Sequence, residues 1–433
     1  MPLGCFAAID VGTNAARLKV ATLLRDGTIE PLHQVRDDIR PGAGVFANGE
    51  MSEAAIERLI ATLRGYHEIC LSLDAQVRAV ATSALRDAIN QQEVVDRVAT
   101  ETGLHLDVIS GREEARLIMV GLLHRHLASP PTVLVDIGGG STEVALARKH
   151  DEYLLWSARL GSMRLTEVFG ASGKVEAMKL DLLRRYIERA CEDAFAAYPN
   201  DAPKETLGTS GSIRALAAWA APRGGGSASL RQVHVAVTRL AGMTLAERAK
   251  HFGLRRAEVI VVAGAILEGV MRHLGSDRIV AVDAGLRDGV LVDLLYRQEH
   301  VGESRPDVSA SLLAFGRRLG FDEVHARQVA HLALTLFDEL EPLHQVPRTY
   351  RPVLHAAALL HDVGYAVNGN RHHRHSAYLI ESADLPGLTD TERVVAARLA
   401  RFHRRRPPAP GHPGLTGLSA VERRAVTRLV PLL

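Results

Sequence analysis

Two short segments of the chain share one pattern of apolar and polar positions. In residues 6–14, and again in residues 133–141, an apolar run reaches an aspartate, Asp10 or Asp136, and then turns on glycine. After each turn the apolar residues alternate with other residues: Ala16, Leu18 and Val20 with Arg17, Lys19 and Ala21, and Val144 and Leu146 with Glu143, Ala145 and Ala147. Period-two alternation on both sides of a tight turn predicts a β-hairpin. The chain therefore contains two similar hairpins, as a duplicated fold would.

The composition of the two turns indicates an anion site. Glycine allows a positive φ and a close approach of backbone N–H groups to an anion. An aspartate at the strand end can hold a cation that phosphates share. Neither a Gly-x-Gly-x-x-Gly turn opening a helix nor a Gly-Lys-Ser/Thr loop is present. One such segment alone would be an ordinary strand and turn, but two predict a cleft around a polyphosphate chain.

The remaining pattern predicts an α/β core followed by a helical region. Apolar residues at helical spacing predict helices entered near Ser52 and over 113–123, 175–196 and 255–274, and strands are expected at 77–82, 104–109 and 279–282. A Gly- and Ser-rich segment, 221–229, is expected to be a loop. Pro130-Pro131 and the polar segment 299–307 punctuate the chain. We expect domains at 1–129, 130–300 and 308–433, the last all-helical.

Length, charge and cysteine content narrow the class of protein. A chain of 433 residues with a formal charge of +2 is expected to hold two or three domains and gives no reason to expect a nucleic-acid or membrane surface. The basic run 401–406 is interpreted as a solvated helix end. Cys5, Cys70 and Cys191 are few and odd in number, which favours a reducing compartment. With no signal peptide evident and the apolar stretch 259–270 too short to span a bilayer, we expect a cytoplasmic protein.

Three further segments carry candidate chemistry. Ser110 and Glu113 have the spacing of a capping box, which leaves Glu114 about 100° further round the helix, free to activate a water molecule at a phosphate cleft. Arg86 follows a predicted strand end and two hydroxyl residues, and its guanidinium matches phosphate oxygens. The turn 208–212 (Gly-Thr-Ser-Gly-Ser) could bind phosphate through N–H groups and hydroxyls. Taken singly, each segment could be only a helix N-terminus.

As a set these segments resemble one family. Six segments occur in the order found in the exopolyphosphatase/guanosine-pentaphosphatase (Ppx/GppA) family. They are Asp10-Val-Gly-Thr-Asn14, Thr82-Ser-Ala-Leu-Arg86, residues 110–118 (Ser-Gly-Arg-Glu-Glu-Ala-Arg-Leu-Ile), residues 136–143 (Asp-Ile-Gly-Gly-Gly-Ser-Thr-Glu), Gly208-Thr-Ser-Gly-Ser212 and residues 283–289 (Asp-Ala-Gly-Leu-Arg-Asp-Gly). The resemblance covers roughly residues 5–295. It implies two duplicated actin-like (ribonuclease H-like) α/β domains with a cleft between them. One departure is Ala15, where the family often has serine, so one hydroxyl contact is missing.

The resemblance also implies roles for individual residues. Glu114 corresponds to the catalytic base, Arg86 to a phosphate-contacting arginine, and Asp136 and Glu143 to the acids that support metal and water. Asp10 is the third candidate metal residue, and Mg²⁺ or another divalent cation is the expected cofactor. The candidate phosphate-binding residues are Gly12, Thr13, Asn14, Arg17, Gly138, Gly139, Gly140, Ser141, Thr142, Gly208, Ser210, Gly211 and Ser212.

The implied activity is metal-dependent hydrolysis of a terminal phosphoanhydride. Inorganic polyphosphate is the first choice of substrate and guanosine pentaphosphate the second, with guanosine tetraphosphate a further candidate ligand. Two alternatives come from other classes: a nucleotide-binding kinase or ATPase of the same superfamily, and a polyphosphate or alarmone sensor whose helical domain gives the output. Neither a membrane nor a nucleic acid is expected as a partner, and a homodimer is left open.

The C-terminal third resembles the HD-like helical domain of the same family. His331, His361 and Asp362 could supply three of the ligands that an HD metal site needs, His372, His373 and His375 are further candidates, and Asp384 is a weak fourth. The alternative is that His361 and Asp362, which follow an apolar helix, form a buried hydrogen-bonded pair without metal.

Overall fold

The computed structural model describes residues 2–24, 28–125, 128–404, 407–409 and 411–433. The chain forms two compact units, Met1–Leu295 and Tyr296–Leu433. Within the described residues, the first unit contains two β-sheets with helices, and the second contains helices only. None of the described helices is long and apolar enough to cross a membrane. The three-domain boundaries expected at 129/130 and 300/308 remain predictions.

The first sheet has five strands in the order β3-β2-β1-β4-β5. Its strands are β1 (Pro2–Val11), β2 (Ala16–Leu24), β3 (Ile29–Asp37), β4 (Ala75–Ala81) and β5 (Leu106–Val108). The predicted first hairpin is confirmed, since β1 pairs antiparallel with β2 and places Asp10 opposite Arg17. The accompanying helices are α1 (Val45–Asn48), α2 (Glu53–Ser72), α3 (Ser83–Asp87), α4 (Gln91–Thr102) and α5 (Gly111–His124).

The second sheet repeats this topology and adds one edge strand. Its strands are β6 (Thr132–Ile137), β7 (Thr142–Lys149), β8 (Glu152–Ala158), β9 (Glu205–Gly208), β10 (Ser227–Ser229) and β11 (Arg278–Ala281), in the order β10-β11-β9-β6-β7-β8. In both sheets an antiparallel three-strand meander is followed by parallel strands on the other side of its first strand. The predicted second hairpin is confirmed, with Asp136 opposite Glu143. The end of the expected loop 221–229 is β10, because it pairs with β11.

The other helices fill the second half of the first unit and all of the second unit. In the first group are α6 (Ser162–Phe169), α7 (Ala177–Ala194), α8 (Gly211–Ala220), α9 (Leu230–Gly242), α10 (Leu245–Phe252), α11 (Leu254–His273) and α12 (Leu286–Glu299). The second contains α13 (Pro306–Arg318), α14 (Glu323–Glu339), α15 (Glu341–His344), α16 (Arg351–Leu360), α17 (His372–Ser382), α18 (Asp390–Phe402) and α19 (Ala420–Leu429). Short 3₁₀ turns occupy Arg348–Tyr350, Val363–Ala366, Pro413–Leu415 and Val430–Leu432.

The alternation in the hairpin strands sorts their residues between two cores. On β1, Ala7, Ile9 and Val11 pack into the core that contains α2 and α4, while Phe6 and Ala8 pack on the opposite face, against α5 and α12. Leu134 of β6 and Ala145 of β7 join this second core, which is shared by the two sheets. Because successive side chains point to opposite faces, Asp10, Asp136 and Glu143 fall on the shared face. The same parity puts Arg17 and Lys19 there.

Close packing rather than positive φ requires the glycines at positions 139 and 140 of the second turn, which corrects the sequence-based expectation. None of Gly12, Gly138, Gly139 and Gly140 has a left-handed backbone. A Cβ atom on Gly139 would lie 2.7 Å from the Thr13 Cβ atom, so the second turn sits against the first. A side chain larger than hydrogen would separate the two turns.

Helices α5 and α12 cross at a pair of glycines beneath the sheets. A Cβ atom on Gly121 would lie 2.6 Å from the Gly289 nitrogen, and one on Gly289 would lie 1.7 Å from the Leu117 carbonyl oxygen. Backbone atoms cannot swing aside as a flexible side chain can. The last glycine of the segment 283–289 is therefore a packing residue that lets the two helices touch.

We expect Gly289→Ala to destabilise the chain by about 3 kcal/mol, the upper end of the range for overpacking a close contact. Thermal unfolding of the full chain measures the effect. Gly65→Ala is the matched control, because Gly65 lies in α2 with nothing within 4 Å of an added Cβ atom. Alanine is the better helix former by about 1 kcal/mol, so this control should raise the melting temperature. Equal shifts in the two variants would contradict the close crossing.

Candidate active site

A cleft of about 1350 Å³ opens within the first unit, where the two hairpin turns meet the start of α5. Most of the predicted site residues line it: Asp10, Gly12, Thr13, Asn14, Arg17, Glu114, Asp136, Gly138, Gly139, Ser141, Ser210, Gly211 and Ser212. Residues from sequence segments more than 200 positions apart are thus brought to one place by the duplicated topology. The segment 283–288 completes the wall.

Five predicted residues stand behind the lining: Arg86, Gly140, Thr142, Glu143 and Gly208. The Thr142 hydroxyl is fully buried and donates to the Leu160 carbonyl. Cβ atoms on Gly140 and Gly208 would lie 2.4 Å from Ser83 Oγ and 2.6 Å from Ile213 Cγ2, respectively. The structure therefore gives these three a packing role, while Arg86 and Glu143 reach the site through their contacts with Glu114 and Asp136.

The two turns are closed in the same way and expose the same kind of donor. The Gly12 N–H donates to the Ala15 carbonyl at 3.0 Å, and the Gly138 N–H donates to the Ser141 carbonyl at 2.9 Å. The next two amides of each turn, at residues 13–14 and 139–140, have no hydrogen-bond partner in the described part of the chain. Unpaired N–H groups in successive turn residues are suited to phosphate oxygens.

Carboxylates crowd the inner end of the cleft. Asp136 and Glu143 are directly opposite each other on β6 and β7, an arrangement that destabilises a sheet when both are charged. Burial raises the pKa of the Glu143 carboxyl, and Asp136 adds to the shift. Burial also raises the pKa of Asp136, although the Thr209 hydroxyl donates to its Oδ1 at 2.5 Å. A cation at this position would relieve both effects.

Glu114 lies at the first turn of α5, where Ser110 caps the helix by accepting the Glu113 N–H at 3.0 Å. Burial, followed by the neighbouring charge of Glu143, raises the pKa of the Glu114 carboxyl well above its usual range. Its Oε2 is buried without a hydrogen bond from any described residue and lies 3.5 Å from Arg86 Nη1. Arg86 itself donates to the Ile109 carbonyl at 2.7 Å. Arg86 therefore holds a positive charge beside Glu114.

Glu113, one residue earlier, takes part in a buried ion network. Both of its carboxylate oxygens accept from the Arg116 guanidinium, at 2.7 and 2.9 Å. Arg116 also donates to Asp293 at 2.8 Å, and Arg78 donates to the same aspartate at 2.9 Å. The structural role expected of Glu113 thus rests on these pairs as well as on the helix cap, and its neighbour Glu114 is left to the cleft.

A group of arginines that sequence reasoning missed also lines the cleft. Eight basic residues do so: Arg17, Lys19, Arg36, Arg125, Arg214, Arg255, Arg256 and Arg287. Burial lowers the pKa of Arg256, and the charges of Arg36 and Arg214 lower it further. Mutual repulsion of these neighbouring, partly buried or exposed cations favours a bound anion. Only Arg17 was predicted as a site residue. Arg287 lies in the motif segment 283–289 but was not singled out, and the remaining residues lie outside the quoted motifs.

The acids at the inner end fit a hard divalent cation. Glu143 Oε2 is buried with no hydrogen-bond partner among the described residues, although Ser157 donates to Oε1 at 2.9 Å. Ions such as Mg²⁺ bind through one or two carboxylates together with substrate phosphates. Asp136 and Glu143 would hold such an ion. Asp10 has a different partner, Arg17, at 3.3 Å.

In the helical unit the structure groups two of the expected histidines, His361 and His372, with two that were not expected, His325 and His403. Two sets of potential metal ligands share Asp362: His325 and His361 form one set with it, and His372 and His403 form the other. Of the residues proposed from sequence, His331, His373, His375 and Asp384 are in neither set. His325 replaces His331 as the ligand candidate on α14, and it lies near Asp362 although it is 37 residues earlier in the chain. The basic run ends α18 as expected, but Arg405 and Arg406 lie outside the described residues.

All three described cysteines are free, in keeping with the absence of a predicted disulfide framework.

Comparison with known proteins identifies the family to which the chain is similar. Residues 21–298 match the Ppx/GppA phosphatase family, and residues 309–433 match domain III of the same phosphatases. A guanosine-5'-triphosphate,3'-diphosphate pyrophosphatase of Photobacterium profundum is 27% identical over 438 residues, covering 99% of this chain and 86% of that protein.

Solved structures agree with these matches. The Aquifex aeolicus member of the Ppx/GppA family is 26% identical with a TM-score of 0.60, covering 69% of this chain and 99% of that one. An exopolyphosphatase from Cytophaga hutchinsonii is 26% identical with a TM-score of 0.59, covering 67% and 97%. The two-sheet unit matches these proteins, as the sequence predicted. The chain belongs to the Ppx/GppA phosphatase family, which hydrolyses phosphoanhydride bonds.

Proposed function

We propose that this phosphatase is an exopolyphosphatase, which removes the terminal phosphate of inorganic polyphosphate as orthophosphate. The observation that carries the proposal is Glu114, a buried carboxylate with a raised pKa at the inner end of an arginine-lined cleft. A general base works best when its pKa lies near the operating pH. Cations along the wall match a substrate that carries charge along its whole length.

In this mechanism the turn amides and the arginines hold the terminal phosphates. Glu114 accepts a proton from the attacking water through its unpartnered Oε2. Arg86, 3.5 Å from that oxygen, stabilises the carboxylate and charge on the transferred phosphoryl group. A divalent ion held by Asp136 and Glu143 would supply positive charge to the phosphate oxygens. Positioning and charge stabilisation account for most of the catalysis in reactions of this kind.

Guanosine pentaphosphate is the second candidate substrate, favoured by the similarity to the Photobacterium profundum pyrophosphatase. Among the described residues of the cleft lining, Phe252 is the one aromatic side chain of the Phe, Tyr or Trp type. A guanine base would gain from stacking on aromatic side chains, whereas a polyphosphate chain needs cations and N–H donors. The ratio of kcat/KM values for long polyphosphate and guanosine pentaphosphate tests the choice. A higher value for the nucleotide would overturn the polyphosphate assignment.

Glu114→Gln should lower kcat on polyphosphate by about 10²–10⁴-fold, because the proton acceptor is lost while the shape is kept. Its melting temperature should stay level or rise, since a buried charge is removed. Glu113→Gln is the matched control and should behave in the opposite way. Losing a carboxylate paired with buried Arg116 lowers stability, but folded molecules keep most of their activity. Equal losses of activity in the two variants would contradict the assignment of Glu114.

Arg256→Gln should raise KM for long polyphosphate by about tenfold, the loss expected for a charged hydrogen bond. The effect should shrink at high salt, which screens the wild-type attraction. Arg185→Gln is the control, because Arg185 is exposed on α7 and pairs with Asp181. An unchanged KM for Arg256→Gln at low salt would remove the arginines of the wall from substrate binding.

Phosphate release should stop in excess chelator and return when Mg²⁺ is added. Glu143→Gln should raise the Mg²⁺ concentration for half-maximal activity at least about tenfold, because a carboxylate ligand becomes a neutral amide. Glu192→Gln, on the exposed side of α7, is the control. Full hydrolysis in chelator, or an unchanged Mg²⁺ requirement in Glu143→Gln, would show that these acids have another purpose.

A further inference from the structure

The helical unit contains a cluster of four histidines around one aspartate, and nothing in the proposed reaction uses it. Asp362 follows α16 directly after His361, His325 lies on the first turn of α14, His372 begins α17, and His403 follows the end of α18. Four helices thus each contribute one imidazole near the same carboxylate. Because these residues come from separate segments, their closeness is produced by the packing of the helices.

The distances are those of ligands around a metal ion. Asp362 Oδ2 lies 3.3 Å from His361 Nε2 and 3.7 Å from His325 Nε2. The other oxygen, Oδ1, lies 3.1 Å from His372 Nε2 and 3.7 Å from His403 Nε2. Tetrahedral coordination with bonds of about 2.0–2.1 Å separates neighbouring ligand atoms by about 3.3–3.4 Å. The four separations bracket this value.

Three of the imidazoles are fixed in the tautomer that a metal requires. Each donates its Nδ1–H to the backbone carbonyl three residues earlier: His361 to Ala358 at 2.8 Å, His372 to Gly369 at 3.2 Å, and His403 to Ala400 at 2.7 Å. A neutral ring that donates from Nδ1 carries its lone pair on Nε2. Metal-binding histidines are oriented by second-shell bonds of this type.

The charges and lone pairs of the cluster would be stabilised by a bound cation. As long as the rings are neutral, their Nε2 lone pairs face a carboxylate, and the facing groups repel one another. Asp362 Oδ1 is buried and accepts no hydrogen bond from any described residue, although His372 Nε2 is 3.1 Å away. A buried carboxylate oxygen without a partner is costly. A positive ion between the nitrogens and the oxygens would remove both penalties.

The ligands fall into two sets rather than one. Within each set all ligand atoms lie within 4.8 Å of one another, and Asp362 is the member common to both. We propose that Asp362 bridges two divalent transition-metal ions, one held by His325 and His361 and the other by His372 and His403. Imidazole and carboxylate together suit Zn²⁺, Fe²⁺, Co²⁺ or Mn²⁺. Mg²⁺, which prefers oxygen ligands and retained water, belongs to the cleft.

Cobalt binding to the full-length chain tests this proposal. The chain is prepared without a histidine tag, stripped with chelator, and titrated with Co²⁺ in the presence of excess Mg²⁺, which occupies oxygen sites. Visible absorption reports nitrogen coordination, and metal analysis after desalting gives the stoichiometry. We expect two equivalents of Co²⁺ in the wild type, about one in His325→Gln, and none in Asp362→Asn.

Two variants serve as controls. His331→Gln changes an exposed histidine of α14 that is in neither set, so it should keep both equivalents. Glu143→Gln should also keep both, because its site is in the cleft; loss of the cobalt spectrum there would place the ions in the wrong unit. Circular dichroism establishes that Asp362→Asn is folded. A folded Asp362→Asn that keeps the wild-type spectrum, or a wild type that retains less than two equivalents, overturns the bridged pair.

Discussion

The first unit depends on keeping several carboxylates buried at the ends of two central strands. Asp136 and Glu143 face each other across β6 and β7, and Glu114 lies within range of both charges. Burial alone would push these groups toward their neutral forms. Arg86 beside Glu114, and the hydroxyl groups of Thr209 and Ser157 at Asp136 and Glu143, offset part of this cost. In the proposed reaction, a divalent ion bound together with the phosphates would offset the remaining repulsion.

Interactions of the helices beneath the cleft stabilise the fold and offset the cost of burying these carboxylates. Arg116, Arg78, Glu113 and Asp293 tie α5, β4 and α12 together through buried charge pairs. The crossing of α5 and α12 at Gly121 and Gly289 brings the backbones into contact. Glu114 is therefore presented from a helix whose other side is fixed. A base held this way reaches the cleft with little freedom to reorient.

Much of the fold follows from local pattern, whereas the charged wall does not. Period-two alternation predicted both hairpins, and in the structure its parity puts Asp10, Asp136 and Glu143 on the shared face. It could not show why position 139 of the second turn is glycine, because the reason is a contact with Thr13, which is 126 residues away in the sequence. Arg256 and the other wall arginines except Arg17 were missed for the same reason. Their proximity is a product of tertiary structure, and of those missed only Arg287 lies in a quoted motif, residues 283–289.

The helical unit shows the same limit at shorter range. The pair His361–Asp362 marked the cluster, but its partners could be identified only from how the helices pack. His331 and His325 are six residues apart on α14, nearly two turns, and only His325 lies near Asp362. Helical spacing alone offers several histidines for one ligand position. The choice among them is made by tertiary contacts.

Duplication followed by divergence explains how one cleft can hold both an anion and a cation. Asp10 and Asp136 are each the penultimate residue of their strands, and Arg17 and Glu143 are each the second residue of the next. The register pairs them identically, but the first hairpin places arginine opposite aspartate and the second places glutamate there. One turn is thus close to electrically neutral and the other is negative. The symmetric backbone thus carries unequal charges, and in the mechanism proposed above the second hairpin would hold the metal ion while the amides of the first would bind phosphate.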